Sequence, residues 1–384
     1  MRLLSFSTLF VIGTDTFLTA PLLPLLQREF GVSVSRSGWL VSAYALGYAL
    51  FALIAGPISD RLDRRKVLLA GLVGFGVFTA ACGCTWGFWS LFTARLLAGV
   101  AAAFVAPIWA SIPVTVPPKA IVKTMGYATA GLAIAQVAGI PIASFLSSMG
   151  WRIPFFVIAA SGAVLWVILY KGFPNVAPAA SGGRLFAPYA HVARSRPLLL
   201  SLIAYLLFQT GNFTALSFIG SWLAKDFGAD QNAIGTAMIV IGFGNAIGSL
   251  TGSRLVARLG ERRSLLFGIV ALGAIYLGTA FVSSMRVAVI VLAVAMLVGG
   301  FLFPVLMSEL QSHTDLARGT VSSLASAAMY AGATVGGAIG GHLLSRFTGY
   351  SGVAVFTVVA YAVSLGVYAL GGAFKRPDFR ILET

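Results

Sequence analysis

Two side chains in this sequence carry charge where the chain around them carries none. Asp15 lies midway along the run Leu3–Leu26, and Arg95 interrupts a second apolar run, Leu91–Gly99. A charge at bilayer depth is costly, so such a residue faces a partner or an ion or substrate path rather than lipid. A carboxylate held there can take up and release a proton.

The elements that must position these residues follow from composition. Hydrophobic residues make up 58% of the chain and charged residues 10%, with a mean hydropathy of +0.93. Ordinary soluble domains carry roughly 25% charged residues. One soluble core cannot hide so much apolar surface, so lipid must solvate much of it. Twelve apolar segments, near 3–27, 37–59, 66–85, 88–112, 124–148, 152–171, 198–223, 232–254, 264–283, 286–308, 319–344 and 350–374, each approach the ~20 residues that cross a bilayer as a helix. In lipid the backbone must satisfy its own hydrogen bonds, so these segments read as helices. The 44 glycines suit close helix approach.

The net charge of +15 sits mainly in the loops on the side of the N-terminus. By the positive-inside rule both termini are expected in the cytoplasm of a bacterial inner (cytoplasmic) membrane. That explains the basic excess without a nucleic-acid partner. The first apolar run is too long for a signal peptide and carries Asp15, so it reads as a retained helix. Cys82 and Cys84 suit neither a structural zinc site nor a redox pair, and no metal site is expected.

The polar stretch Gly172–Pro197 reads as a cytoplasmic linker between two six-helix bundles, 1–171 and 198–384, the second with a short cytoplasmic tail. The bundles match at a constant offset of 197: Gly31 on Gly228, Gly47 on Gly244, Arg61–Gly71 on Arg258–Gly268, Pro107 on Pro304 and Gly139 on Gly336. Parallel halves with a binding site between them at the midplane are a transporter plan.

Four segments give this plan a family. Gly56–Lys66 (GPISDRLDRRK) resembles the loop signature between helices 2 and 3 of the major facilitator superfamily. Leu91–Gly99 (LFTARLLAG) resembles its helix 4 signature. Ala138–Leu146 (AGIPIASFL) resembles the helix 5 element of its proton-driven exporters. Ala20–Leu26 (APLLPLL) resembles the helix 1 proline element of the twelve-helix drug:H+ antiporter branch. Asp63 replaces the usual loop Gly, and Ile140 separates Gly139 from Pro141. Within the branch the chain is most similar to bacterial sugar-efflux and purine-efflux type permeases. The resemblance implies an all-α membrane protein of twelve transmembrane helices in two pseudo-symmetric six-helix bundles.

It also implies roles. Helices 1 and 4 line the family's central cavity, which makes Asp15 the protonatable carrier and Arg95 its electrostatic neighbour. The competing reading is a static buried pair that fixes packing. The repeat mates Asn212 and Leu292 are neutral, so proton coupling is expected in the first half alone. Gly56, Asp60, Arg61 and Arg65 read as a cytoplasmic gate, in which Asp60, placed before helix 3, latches against the start of helix 11 near Arg318. Gly139 and Pro141 form the helix 5 antiporter element. Candidate cavity residues are Phe17, Trp109, Gln136, Gln209, Asn212, Phe213, Asn245, Phe303 and Tyr330. Glu309 and Asp315 read as solvated.

The function expected is secondary active transport: proton-coupled efflux, by alternating access, of small amphipathic compounds or drugs. Efflux of sugars or nucleobases and nucleosides, a non-coupled facilitator, or a transporter-fold receptor are the alternatives. No enzyme motif is found. The proton gradient is the driving force, with no cofactor. The expected partners are a small-molecule substrate, protons and the lipid bilayer, and the protein is read as a monomer.

Overall fold

The computed structural model describes residues 1–105, 112, 115–175, 189, 192, 194–313 and 318–374. Helices account for nearly all of them. They are α1 (Arg2–Phe30), α2 (Trp39–Arg61), α3 (Arg64–Gly83), α4 (Phe88–Ala103), and α5, built from Pro118–Ile134, a π-helical turn Ala135–Gly139 and Ile140–Ser148. Then follow α6 (Ile153–Gly172), α7 (Arg196–Ser217 continued by Ile219–Phe227), α8 (Gln231–Leu259), α9 (Glu261–Gly278), α10 (Met285–Gln311), α11 (Arg318–Arg346) and α12 (Ser351–Leu370).

Ten of these rods are long and apolar enough to cross a membrane. The remaining two depart for separate reasons. The described part of α4 is 16 residues long. The 29-residue α11 is long enough, but its many Gly, Ala and Ser residues lower its hydropathy. With them the number agrees with the twelve segments read from the sequence. Large apolar side chains such as Leu50, Val77, Leu250, Ile290 and Val359 lie exposed on the outer faces, as lipid-facing positions do. Buried apolar residues form two clusters, one drawn mostly from residues 9–173 and one mostly from 192–373.

The sequence repeat recurs as geometry. α1 and α7 end on repeat-mate glycines, Gly31 (φ 61) and Gly228 (φ 64), both in the left-handed conformation that glycine adopts without strain. Gly47 of α2 lies against the Leu96 carbonyl of α4, and Gly244 of α8 against the Ala293 carbonyl of α10. The second contact is the first one shifted by the same 197 residues. Neither site has room for a Cβ atom, so each crossing depends on glycine.

Between the halves, α2 packs on α11 and α5 on α8. Gly38 meets the Gly337 carbonyl, and Ser42 Oγ donates to the Thr334 carbonyl at 2.6 Å. Further cross-half bonds lie toward the end of the bundle opposite the N-terminus, here called the far end. Gln27 Nε2 donates to Ser221 Oγ (3.3 Å), Gln231 Nε2 to the Pro21 carbonyl (3.0 Å) and Ser144 Oγ (2.9 Å), and Ser35 Oγ bonds the His342 ring. These bonds join the two halves at the far end.

Two local readings need correction. Asp60 belongs to the last turn of α2 and does not lead into α3. The residue that caps α3 is Asp63, whose carboxylate accepts from the Arg65 N–H at 2.9 Å. Glu309 is buried, at 7% exposure, and not solvated. α10 runs on to Gln311, so the last turn carries Glu309 inward, where His313 Nε2 lies 3.1 Å from its Oε1 and 2.9 Å from Ser201 Oγ. Asp315 lies outside the described residues.

Gly244→Leu should force α8 from α10. Overpacking of this kind costs about 1–3 kcal/mol, so its unfolding temperature in detergent should fall well below wild type. Gly126→Ala, where nothing lies within 4 Å, should leave that temperature unchanged or slightly raised. Equal behaviour of the two variants would contradict the packing described.

Candidate functional site

α1 carries Asp15 to mid-depth, and α4 brings Arg95 to it. Arg95 Nη1 donates to Asp15 Oδ2 at 2.9 Å, and Nη2 to the Asp15 backbone carbonyl at 3.2 Å. Exposure is 0% for Asp15 and 1% for Arg95. The Tyr44 ring of α2 covers the guanidinium at 4.3 Å, adding a cation–π contact in a buried site. Tyr44 reaches it because Gly99 of α4 sits against the Tyr44 carbonyl, with no space for a side chain. Asp15 Oδ1 and Arg95 Nε are buried and make no hydrogen bond. The carboxylate thus keeps one oxygen without a hydrogen-bond partner.

A layer of hydroxyls separates this pair from a cavity between the halves. Thr16 Oγ1 donates to the Ile12 carbonyl (2.8 Å) and lies 3.3 Å from the Tyr44 hydroxyl and 3.4 Å from that of Tyr330. Tyr48 stacks on Tyr330 with centroids 3.8 Å apart. Thr16, Tyr44 and Tyr330 all line the cavity, together with Phe17, Gln136, Phe213 and Asn245. Phe17 and Phe213 stack across the interface, 6.2 Å between centroids. The rest of the wall is mostly aliphatic or thioether: Val41, Ile140, Leu216, Met238, Ile241 and Met296. Among the described residues none of the lining is charged.

Five of the nine expected cavity residues, Phe17, Gln136, Phe213, Asn245 and Tyr330, therefore meet at one place. Gln209 and Asn212 do not line the cavity. Gln209 donates to the Tyr205 hydroxyl (2.7 Å) and accepts from Asn212 Nδ2 (3.3 Å), and the Tyr361 hydroxyl lies 3.5 Å from Asn212 Oδ1. Tyrosines of the second half satisfy these amides, which turns them away from the interface. Phe303 is 43% exposed on the outer face of α10, because the neighbouring Leu302, Val305 and Leu306 take the buried face. Trp109 lies outside the described residues. Thr16 and Tyr44 were missed. Adjacency to Asp15 pointed to the first, while an apolar-run tyrosine carries no such mark.

The helix 5 element has a particular form. Pro141 lacks an N–H, and the turn before it widens: the Ile140 N–H reaches five residues back to the Ala135 carbonyl. Gly139 of this turn lies against Thr14, the neighbour of Asp15, and Ala135 against Gly13. Gln136, between them in sequence, faces the cavity. The turn touches both the cavity and the helix segment that bears the ion pair.

Of the expected gate residues, Gly56 and Asp60 are helical in backbone and their surroundings lie outside the described residues, as do those of Arg318. Arg61 ends α2. Arg65 Nη1 donates to Asn175 Oδ1 at 2.6 Å, its Nη2 bonds the Tyr170 carbonyl, and its guanidinium lies over the Tyr170 ring. It thus ties α3 to the end of α6, inside the first half.

The model of the Major Facilitator Superfamily matches residues 5–219 and 201–380. The MFS-type transporter YceJ of Bacillus subtilis is 47% identical over 368 residues, 95% of this chain and 94% of the relative. A chloramphenicol resistance protein of Streptomyces lividans is 27% identical over 255 residues, 65% and 64% of the two chains. A probable sugar efflux transporter of Mannheimia succiniciproducens is 23% identical over 364 residues, 91% and 89%. A bacterial homologue of the human lysosomal transporter Spinster, solved in an inward-facing, occupied conformation, superposes with a TM-score of 0.77 at 16% identity, over 97% of this chain and 96% of that one. The chain is a multi-pass membrane protein and belongs to the Major Facilitator Superfamily.

Proposed function

We propose that the protein is a proton-coupled exporter of small amphipathic compounds, working by alternating access in a bacterial inner membrane with both termini in the cytoplasm. The observation that carries this reading is the buried Asp15–Arg95 pair, one residue along α1 from the wall of an uncharged, largely apolar cavity. Protonation of Asp15 would cancel the charge that holds Arg95, loosening α1 from α4 beside the cavity. Deprotonation would restore the attraction. The proton gradient then drives one half of the cycle, with no cofactor. Opening toward the far end, taken as the outside, requires the cross-half bonds of Gln27, Ser35, Ser42 and Gln231 to break. An apolar wall with a few hydroxyl and amide groups suits amphipathic solutes, and the likeness to a chloramphenicol resistance protein fits this class. The likeness to sugar efflux transporters supports polar neutral solutes as the second reading.

In proteoliposomes, Asp15→Asn should reduce transport driven by a pH gradient at least tenfold, while solute exchange without a gradient persists. Undiminished gradient-driven transport by this variant would exclude Asp15 as the carrier.

Stability separates a carrier from a static clamp. Breaking a buried pair from one side leaves an uncompensated charge and costs about 3–5 kcal/mol. Arg95→Leu alone should therefore melt far below wild type in detergent, and the double variant Asp15→Leu/Arg95→Leu should recover much of the loss. Recovered stability without proton-coupled transport is the expected result. A double variant that transports like wild type would identify the pair as packing alone.

A further inference from the structure

The two amides in the cavity form a bond with each other, across the boundary between the halves. Asn245 Nδ2 of α8 donates to Gln136 Oε1 of α5 at 2.5 Å. Both side chains line the cavity and are partly buried. Gly300 of α10 meets the Asn245 carbonyls closely, and Gly242 of α8 meets the backbone of Gln136 and Val137. The two amides are thereby set on close-packed backbone.

Gln136 Nε2 and Asn245 Oδ1 make no other hydrogen bond among the described residues, so the pair leaves a donor group and an acceptor group over. Reversing both amides exchanges the roles and leaves the same inventory. An uncharged secondary amide, which also offers one donor and one acceptor, complements it. Ions do not. A cation in this cavity would meet no free carboxylate, since Asp15 is fully buried and bonded to Arg95 behind Thr16 and Tyr44. An anion would find no free guanidinium for the same reason. Burying an unpaired charge in such a place is strongly unfavourable, whereas a polar neutral group loses little once it is hydrogen-bonded.

We propose that the Gln136–Asn245 pair is the specificity-determining element of the cavity, and that it selects uncharged solutes carrying an amide-like donor and acceptor while excluding lipophilic cations. This rests on the reading of the cavity as the solute site of an exporter of amphipathic compounds, but it does not depend on proton coupling.

The test is equilibrium binding of two radiolabelled probes to purified full-length protein in detergent, without a pH gradient. Chloramphenicol is uncharged with a secondary amide, and tetraphenylphosphonium is a lipophilic cation. Wild type should bind chloramphenicol at least tenfold more tightly than tetraphenylphosphonium. Gln136→Leu and Asn245→Leu should each weaken chloramphenicol binding tenfold or more. The isosteric Gln136→Glu should strengthen tetraphenylphosphonium binding at least tenfold, a gain that misfolding cannot produce. Cation binding by wild type as tight as that of chloramphenicol, undiminished chloramphenicol binding by the leucine variants, no chloramphenicol binding by wild type, or no gain in Gln136→Glu would each overturn the proposal. A protein that passes this test but shows no proton-driven flux would refute coupling and leave the specificity assignment standing.

Discussion

The pairing of Asp15 with Arg95 constrains everything packed around it. Both charges are buried, so each depends on the other and on a short list of neighbours. That dependence fixes how closely three helices must approach. Gly99 lets α2 lie against α4, which brings the Tyr44 ring onto the guanidinium. Gly47 secures the same crossing lower down the pair of helices. Gly139 lets α5 lie against Thr14. The glycines are therefore more than packing aids, since they set the distances on which a buried ion pair relies.

The two halves share an architecture and divide the work. Glycine contacts at positions separated by 197 residues reproduce one helix crossing in the other half, yet the repeat mates of the charged pair are Asn212 and the fully buried Leu292. Where the first half has an ion pair, the second has a neutral chain of hydrogen bonds through Tyr205, Gln209, Asn212 and Tyr361. Such a network is satisfied as it stands and has no charge to gain or lose near neutral pH. In the proposed cycle, a charge-driven rearrangement would therefore act from the first half's side of the cavity.

Features with a long-range cost were legible in the sequence. Asp15 and Arg95 stand out because an apolar run tolerates few charges, and the helices and the repeat follow from hydropathy and register alone. Phe17, Gln136, Phe213, Asn245 and Tyr330 were found because polar or aromatic residues on central helices are few. Features set by helical phase were not legible. Phe303 and Leu302 are adjacent and equally apolar, yet one faces outward and the other is buried. Gln209 and Asn212 look like cavity residues until their tyrosine partners, distant in sequence or a turn away, are placed. Glu309 reads as solvated because it stands at the cytoplasmic end of helix 10, yet the helix runs on to Gln311 and its last turn carries Glu309 inward.

The π-helical turn of α5 joins these observations. A regular α-helix presents the same face every 3.6 residues, so one short stretch cannot easily serve two neighbours on diverging faces. Widening the turn by one residue re-aims the side chains that follow. Here Ala135 and Gly139 bracket the turn against Gly13 and Thr14 of α1, while Gln136 reaches Asn245 across the cavity. In the proposed cycle, a solute engaging Gln136 would pull on a segment seated directly against the helix that holds Asp15, and a change of charge at Asp15 would bear on that same segment. Under the proposed coupling, solute and proton would influence each other through this one turn of backbone, with no longer path through the bundle required.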